Sequence, residues 1–254
     1  MTRPDPRPWH CQTALDDFAM VTYDVSPVDL SRQLPPDITP LRFDISGGSR
    51  ALVSAVMFND HDFHFRGAPW ARMNCGQVNY RAYVRRGNET GVWFFGTSLD
   101  HRLVQVTRTL WQMPWHHEQV KIQARWQEAV SAHSAQRAEL MDYSFQSPGP
   151  WGSAQVRLTS ASSPVGLLSG FTSEAEQRAI LLDPFTGWYR RARDGRVGRY
   201  SVWHEPLTPM LATVGGASFA VFERAGLVAK GQAPLHAIVQ RRSTFDVHTP
   251  PRQQ

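Results

Sequence analysis

Apolar and polar residues alternate along much of this chain, and a period of two predicts β-strands. The alternation is clearest over residues 78–85, where apolar side chains stand at the even positions. A turn at Gly87 to Gly91 and the apolar run Val92–Phe95 follow, so this region predicts a hairpin. The same pattern predicts strands over residues 51–58, 120–127, 137–145, 154–159, 186–193, 197–204 and 235–246.

Three shorter segments have helical signals. Apolar residues recur at helical spacing over 103–111, and Pro114 ends that helix because proline lacks a backbone donor. Ser173 is a candidate N-cap for a helix over 172–182, and residues 29–34 form a third candidate. Many strands with two or three short helices predict a β-rich α+β domain, built as a barrel or closed sandwich.

Length and composition favour one globular domain. The 254 residues are 41% hydrophobic and 19% charged, which is ordinary for a folded protein. We expect a flexible tail over residues 1–8, one domain over 9–248 and a second flexible tail over 249–254. The first residues do not resemble a signal peptide, and no apolar run approaches the ~18 residues of a membrane span. We therefore expect a cytoplasmic protein without a membrane partner, and we leave open whether it forms a homo-oligomer.

The net charge of +5 raises the question of a nucleic-acid partner. Of the 27 basic residues, only Lys121 and Lys230 are lysines, a skew that is typical of compositional bias. The densest arginine cluster, over residues 190–199, brackets the turn dipeptide Asp194-Gly195 and is expected on a solvated hairpin. Without a recognition motif, this charge is weak support for nucleic-acid binding.

Several segments, taken in order, resemble the YqjF-like family of uncharacterised proteins (domain of unknown function 2071). The segments are Asn79–Arg85, Gly91–Phe95, the helix ending in Met113–His117, Gly187–Tyr189 and His204–Leu207. That family is similar in fold to acetoacetate decarboxylase. The resemblance covers roughly residues 9 to 248, and it implies an acetoacetate decarboxylase-like β-barrel or cone that encloses a central cavity.

The resemblance does not extend to the decarboxylase chemistry. In the decarboxylase an imine-forming lysine follows the proline after the helix, and a second lysine beside it lowers its pKa. The corresponding residues here are Trp115 and His116, and a tryptophan cannot form a Schiff base. Lys121 lies on the polar face of its predicted strand and Lys230 lies beside a glycine turn, so we expect both in solvent. We expect no cofactor.

Histidines are the next candidates for chemistry. His61 and His64 would point to opposite faces of a strand, and the adjacent His116 and His117 would diverge, so we expect no metal site. His116 is either a polar residue at a helix-to-strand corner or a general acid or base at the cavity mouth. His204 is the second candidate for proton transfer.

Arg81 and Asn79 share one face of their predicted strand, opposite Tyr80 and Ala82. An arginine that points into an apolar barrel needs a carboxylate partner. Either Glu205 or Asp100 supplies it inside the protein, or a small acid supplies it as a ligand. Gln77 stands nearest to the position where the decarboxylase has a glutamate, and it is neutral.

Three hypotheses about function follow. The first is an enzyme that acts on a small oxo acid or related carbonyl compound without an imine. The second is a non-catalytic protein that binds a small molecule, and the third is a basic nucleic-acid binder. The ligand-binding residues expected under the first two are Asn79, Arg81, Tyr83, Trp93, Phe95, Trp115 and Glu205.

Overall fold

The computed structural model describes residues 5, 7–102, 104–128 and 138–253. The strands in that part of the chain are β1 (Cys11–Val25), β2 (Ile38–Pro40), β3 (Phe43–Ile45), β4 (Gly48–Phe65), β5 (Met73–Arg86), β6 (Glu89–Leu99), β7 (Trp115–His117), β8 (Lys121–Glu128), β9 (Ala138–Ser147), β10 (Ala154–Pro164), β11 (Thr186–Arg190), β12 (Val197–His204), β13 (Met210–Phe219) and β14 (His236–Gln253). The helices are α1 (Pro27–Gln33), α2 (Val104–Trp111), α3 (Glu174–Gln177) and α4 (Ala220–Arg224), and a π-helical turn over Arg178–Leu182 follows α3.

Seven strands close into a ring. The hydrogen-bonded order is β1–β4–β5–β6–β11–β12–β14, and β14 pairs again with β1. An odd number of strands cannot alternate in direction all the way round, so at least one pair must be parallel. That pair is β6 with β11, and the other neighbours in the ring are antiparallel.

A second layer of strands extends from the ring. β13, β10, β9 and β8 continue the sheet from the first part of β14. Apolar side chains from these strands pack against the outward-facing side chains of β1, β4 and β5 and form a filled core. Tyr80 and Ala82 are fully buried in this core, whereas Asn79 and Arg81 face the interior of the ring.

One side of the ring is closed by connecting segments. Leu181 and Leu182 from the π-helical turn, and Phe43 and Ile45 from β3, pack on inward-facing ring side chains such as Met20. Ser173 fixes the start of α3, since its Oγ accepts a hydrogen bond from the backbone of Glu176 at 3.2 Å. The start of α3 is therefore defined by its N-cap, and the π-helical turn that follows packs on the ring through Leu181 and Leu182.

The β-rich α+β architecture predicted from the sequence is confirmed. The hairpin of β5 and β6 and the strand β12 lie where the pattern placed them, and α2 ends at Trp111 as expected. Leu103 and residue 137, which belonged to predicted elements, lie outside the described residues. The strands β1 and β13 and the helix α4 were not predicted. β14 continues in pairing to Gln253, past the expected domain boundary at residue 248.

Candidate functional site

The interior of the ring holds a cavity of about 150 Å³. All seven ring strands contribute to its wall, and most of the lining side chains are apolar or aromatic. An engineered cavity of similar size in another protein binds benzene, so the space is sufficient for a ligand of about six non-hydrogen atoms. The lining residues include Leu15, Val56, Phe58, Val92, Phe94, Leu182, Tyr189, Val202 and Phe245.

Arg81 brings a positive charge to this apolar interior. Its Nη2 donates to the carbonyl oxygen of Leu181 at 2.9 Å and to the Tyr83 hydroxyl at 3.2 Å. The buried Nε has no hydrogen-bond partner among the described residues. Neither Glu205 nor Asp100, the partners suggested by the sequence, bonds to the guanidinium, and Arg81 takes part in no ion pair in the described part of the chain.

A buried chain of hydroxyl groups is hydrogen-bonded to Arg81. The Tyr83 hydroxyl and the Ser54 Oγ lie 2.8 Å apart, and Ser54 Oγ lies 2.8 Å from Thr22 Oγ1. His236 stands opposite Thr22 in the register of β14 with β1. Both of its ring nitrogens are buried without a partner among the described residues, and burial lowers the His236 pKa to about 4.

His204 lies on the same cavity wall as Arg81 and is 5% exposed. Its Nδ1 donates to the carbonyl oxygen of Glu205 at 2.8 Å, and its ring stacks on Phe245 with centroids 4.4 Å apart. The Nε2 atom lies 3.9 Å from Oδ1 of Asp183, whose Oδ2 pairs with Arg178 Nε at 3.1 Å. Burial lowers the His204 pKa, so the neutral imidazole is favoured.

Asp60 is a cavity residue that the sequence analysis missed. It is 6% exposed, its Oδ1 accepts from Thr13 Oγ1 at 2.9 Å, and no described residue forms an ion pair with it. Burial raises the pKa of Asp60 to about 7, which keeps a large share protonated near neutrality. The signal was available, because Val56, Phe58 and Asp60 share one face of β4 by the period of two.

Asn79 lies between Arg81 and Asp60 on the wall formed by β4 and β5. Its Oδ1 accepts from Gln77 Nε2 at 2.9 Å and from Thr97 Oγ1 at 2.6 Å. These bonds use the acceptor side of the amide and fix its orientation. The donor side of Asn79 is therefore the side that remains for a ligand.

Trp115, which the resemblance placed at the position of the decarboxylase lysine, lines the cavity. Lys121 and Lys230 are both exposed, as the sequence analysis expected. Neither lysine is among the residues that line the cavity. Among the described residues, the wall therefore presents no lysine amine that could form an imine with a ligand.

Trp93 and Phe95 do not line the cavity, contrary to the expectation. Trp93 pairs directly with Ala82, and directly opposed residues of an antiparallel pair share a face. Trp93 is thus buried in the filled outer core, and Phe95 packs against the same core. The inward-facing aromatic residue of β6 is Phe94.

Three further expected site residues also lie off the cavity wall. His116 stacks on Trp151 with ring centroids 3.8 Å apart, and burial lowers its pKa to about 4. Glu205 is exposed and contributes only its carbonyl oxygen, to His204. Tyr83 is fully buried and is not among the lining residues, and its hydroxyl accepts a hydrogen bond from the wall residue Arg81.

Other candidate sites receive little support from the geometry. No group of three or more His, Cys, Asp or Glu side chains in the described ranges is arranged to hold a metal ion. No described helix has the length and apolar character needed to span a membrane. In the arginine-rich hairpin, Arg191 pairs with Asp194 and Arg199 pairs with Glu89, so part of its charge is neutralised locally.

Solved structures with this architecture define the class of fold. The enduracididine biosynthesis enzyme MppR, complexed with the condensation product of pyruvate and imidazole 4-carboxaldehyde, is 15% identical with a TM-score of 0.59, over 98% of this chain and 90% of MppR. Acetoacetate decarboxylase from Legionella pneumophila is 13% identical with a TM-score of 0.58, over 100% of this chain and 92% of that enzyme. An acetoacetate decarboxylase-like enzyme from Sphingomonas wittichii is 9% identical with a TM-score of 0.55, over 95% and 91% of the two chains. The protein therefore has the acetoacetate decarboxylase-like fold.

The family model of DUF2071, described as an uncharacterised conserved protein, matches residues 12–243. The chain belongs to this family, as the resemblance seen in the sequence implied. No curated protein sequence matches it.

Proposed function

We propose that this protein binds a small carboxylic acid, such as a 2-oxo acid, in the ring cavity without forming an imine. The observation that supports this proposal most directly is the Arg81 guanidinium, which faces an apolar cavity and takes part in no ion pair among the described residues. Partial burial of a cation that has no anionic partner is costly, and a ligand carboxylate would offset that cost through charge-assisted hydrogen bonds. A solved structure of MppR, which has the same fold, is a complex with pyruvate.

The remaining polar groups of the wall suit the rest of such a ligand. Asn79 offers an amide donor beside Arg81, and a protonated Asp60 carboxyl offers a second donor farther along the wall. His204, neutral and on the same wall as Arg81, is suited to accept or return a proton. The enzyme and the non-catalytic binding protein share this binding step and differ in whether His204 moves a proton.

Titration with pyruvate tests the proposal. Trp111 and Trp115 line the cavity, so their fluorescence reports its occupancy. We expect saturable binding that Arg81→Met weakens roughly 10- to 100-fold, since a hydrogen bond to a charged group contributes about 1.5–3 kcal/mol. Arg125→Met is the matched control, because Arg125 is exposed on β8 and should leave binding unchanged. Equal affinity in the parent and the Arg81 variant, or no saturation in either, would contradict the proposal.

A further inference from the structure

His204 Nε2 and Asp183 Oδ1 face each other at 3.9 Å. A carbonyl oxygen can only accept, so Nδ1 of His204 must carry a hydrogen for its bond to Glu205, and Nε2 of the neutral ring carries a lone pair. That lone pair lies 3.9 Å from Asp183 Oδ1, a buried oxygen without a hydrogen-bond partner among the described residues. A proton on Nε2 would turn two facing acceptors into a charge-assisted pair.

The positive charges of two arginines disfavour a proton on His204 Nε2. Arg178, on the π-helical turn, pairs with the other oxygen of Asp183, and Arg81 approaches from β5. Burial is the main cause that lowers the His204 pKa; the hydrogen bond to the Glu205 carbonyl and then the charge of Asp183 raise it, and Arg81 and Arg178 lower it further. The elements that pack on the remaining faces of the imidazole present the uncharged rings of Phe245 and Phe185.

We infer that binding of a carboxylate at Arg81 is coupled to the uptake of one proton from solvent, and that this proton resides on His204 Nε2, facing Asp183 Oδ1. The inference rests on the proposed binding of a carboxylate at Arg81. The ligand's negative charge offsets the positive potential of Arg81, so the imidazolium next to Asp183 becomes favourable. Asp183 is then a positioning residue, which sets the protonation state of His204 from behind the cavity wall.

A pH dependence with a defined sign follows. Because the ligand-bound protein has the higher His204 pKa, binding takes up a proton between the free and the bound pKa values. Affinity is greatest below the free pKa and falls by up to about tenfold per pH unit as the pH rises towards the bound pKa, above which it stays at a lower constant value. The bound acid then lies beside an imidazolium, the form of histidine that can donate a proton to a developing enolate or carbanion.

The test is titration calorimetry of pyruvate into the full chain at about pH 6, in buffers of different ionisation enthalpy. The slope of the observed heat against buffer enthalpy gives the number of protons taken up. We expect a net uptake that is clearly greater than zero and does not exceed one proton in the parent. His204→Gln should retain measurable binding without uptake, and Asp183→Asn should reduce the uptake. His117→Gln, an exposed histidine outside the cavity, should behave as the parent.

The outcomes separate this inference from the proposed function. Binding without any dependence on buffer enthalpy would overturn the inference and leave carboxylate binding intact. Asp60 also titrates near neutrality, so loss of uptake in Asp60→Asn but not in His204→Gln would assign the proton to Asp60 and overturn the inference. No binding of pyruvate in any buffer would overturn the proposed function itself. Circular dichroism of each variant shows whether a lost signal comes from unfolding.

Discussion

The two faces of strand β5 perform different tasks. Its even-numbered residues Tyr80 and Ala82 are fully buried in the outer core, where aromatic rings and aliphatic side chains fill the space. Its odd-numbered residues Asn79 and Arg81 line a cavity that is left unfilled. The outer core stabilises the fold, and the ring interior keeps polar and charged groups whose burial is costly without a ligand.

This difference shows how one strand serves stability and binding together. Side chains alternate across a strand, so a change at one residue affects one face and leaves the other in place. We expect substitutions in the ring interior to change the free energy of unfolding little and the affinity for a ligand strongly. We expect substitutions in the outer core to lower the free energy of unfolding strongly and to change the affinity little.

The largest expected effect is a truncation in the outer core. Phe222 is fully buried and contacts the rings of Tyr80, Phe95 and Phe219, so Phe222→Ala should lower the free energy of unfolding by about 3–5 kcal/mol. Phe94→Ala on the cavity wall should cost about 1–2 kcal/mol, because one side of that ring already lacks packing partners. Urea unfolding measures both values. Equal decreases in the free energy of unfolding for the two variants would contradict the proposed difference between the two faces.

The pH dependence of stability that His236 causes is a second test of the comparison between the ring interior and the outer core. Its folded pKa of about 4 lies below the ~6.5 of an exposed imidazole, so its stabilising contribution is complete above pH 6.5 and is lost as the pH falls. We expect His236→Leu to remove about 2–3 kcal/mol of the change in stability between pH 7.5 and 4.5. Asp60, with a raised pKa, acts in the opposite direction, so the difference between the parent and the variant is the quantity to measure by urea unfolding. An unchanged pH dependence would show that His236 has a partner when folded.

The smallest expected effect is an unchanged intact mass after an attempt to trap an imine. Because Lys121 and Lys230 are exposed and the wall residue is Trp115, incubation with pyruvate or acetoacetate and cyanoborohydride should leave the intact mass unchanged. Lys121→Met should behave as the parent. A stoichiometric adduct on either lysine would restore an imine mechanism from a new position.

The parts of the fold that follow a regular period were predictable from the sequence. β5 alternates between apolar and polar residues over 78–85, and a turn separates it from the apolar run Val92–Phe95 of β6. β1 was missed because its alternation breaks at Asp17, a residue with a positive φ of 53° where the register with β4 shifts. Such a bulge moves the apolar residues to the other parity, and a strict period of two does not recognise them.

The sequence predicted only those parts of the site whose residues lie on the same strand. Arg81 and Asn79 were placed together because they share a face of β5. Trp93 could have been excluded, since its pairing with Ala82 assigns it to the outer core. Asp183 was beyond sequence reasoning, because it meets His204 through a connection between the π-helical turn and β11 that leaves no periodic signal.

The double pairing of β14 links the two regions mechanically. Its first residues pair with β13 and its later residues pair with β12, while β1 pairs along most of its length. The ring and the outer layer thus share one continuous backbone ladder and cannot separate as independent modules. Amide protons on both should exchange with solvent in a single cooperative opening, so a ligand that tightens the ring would also slow exchange in strands it never touches.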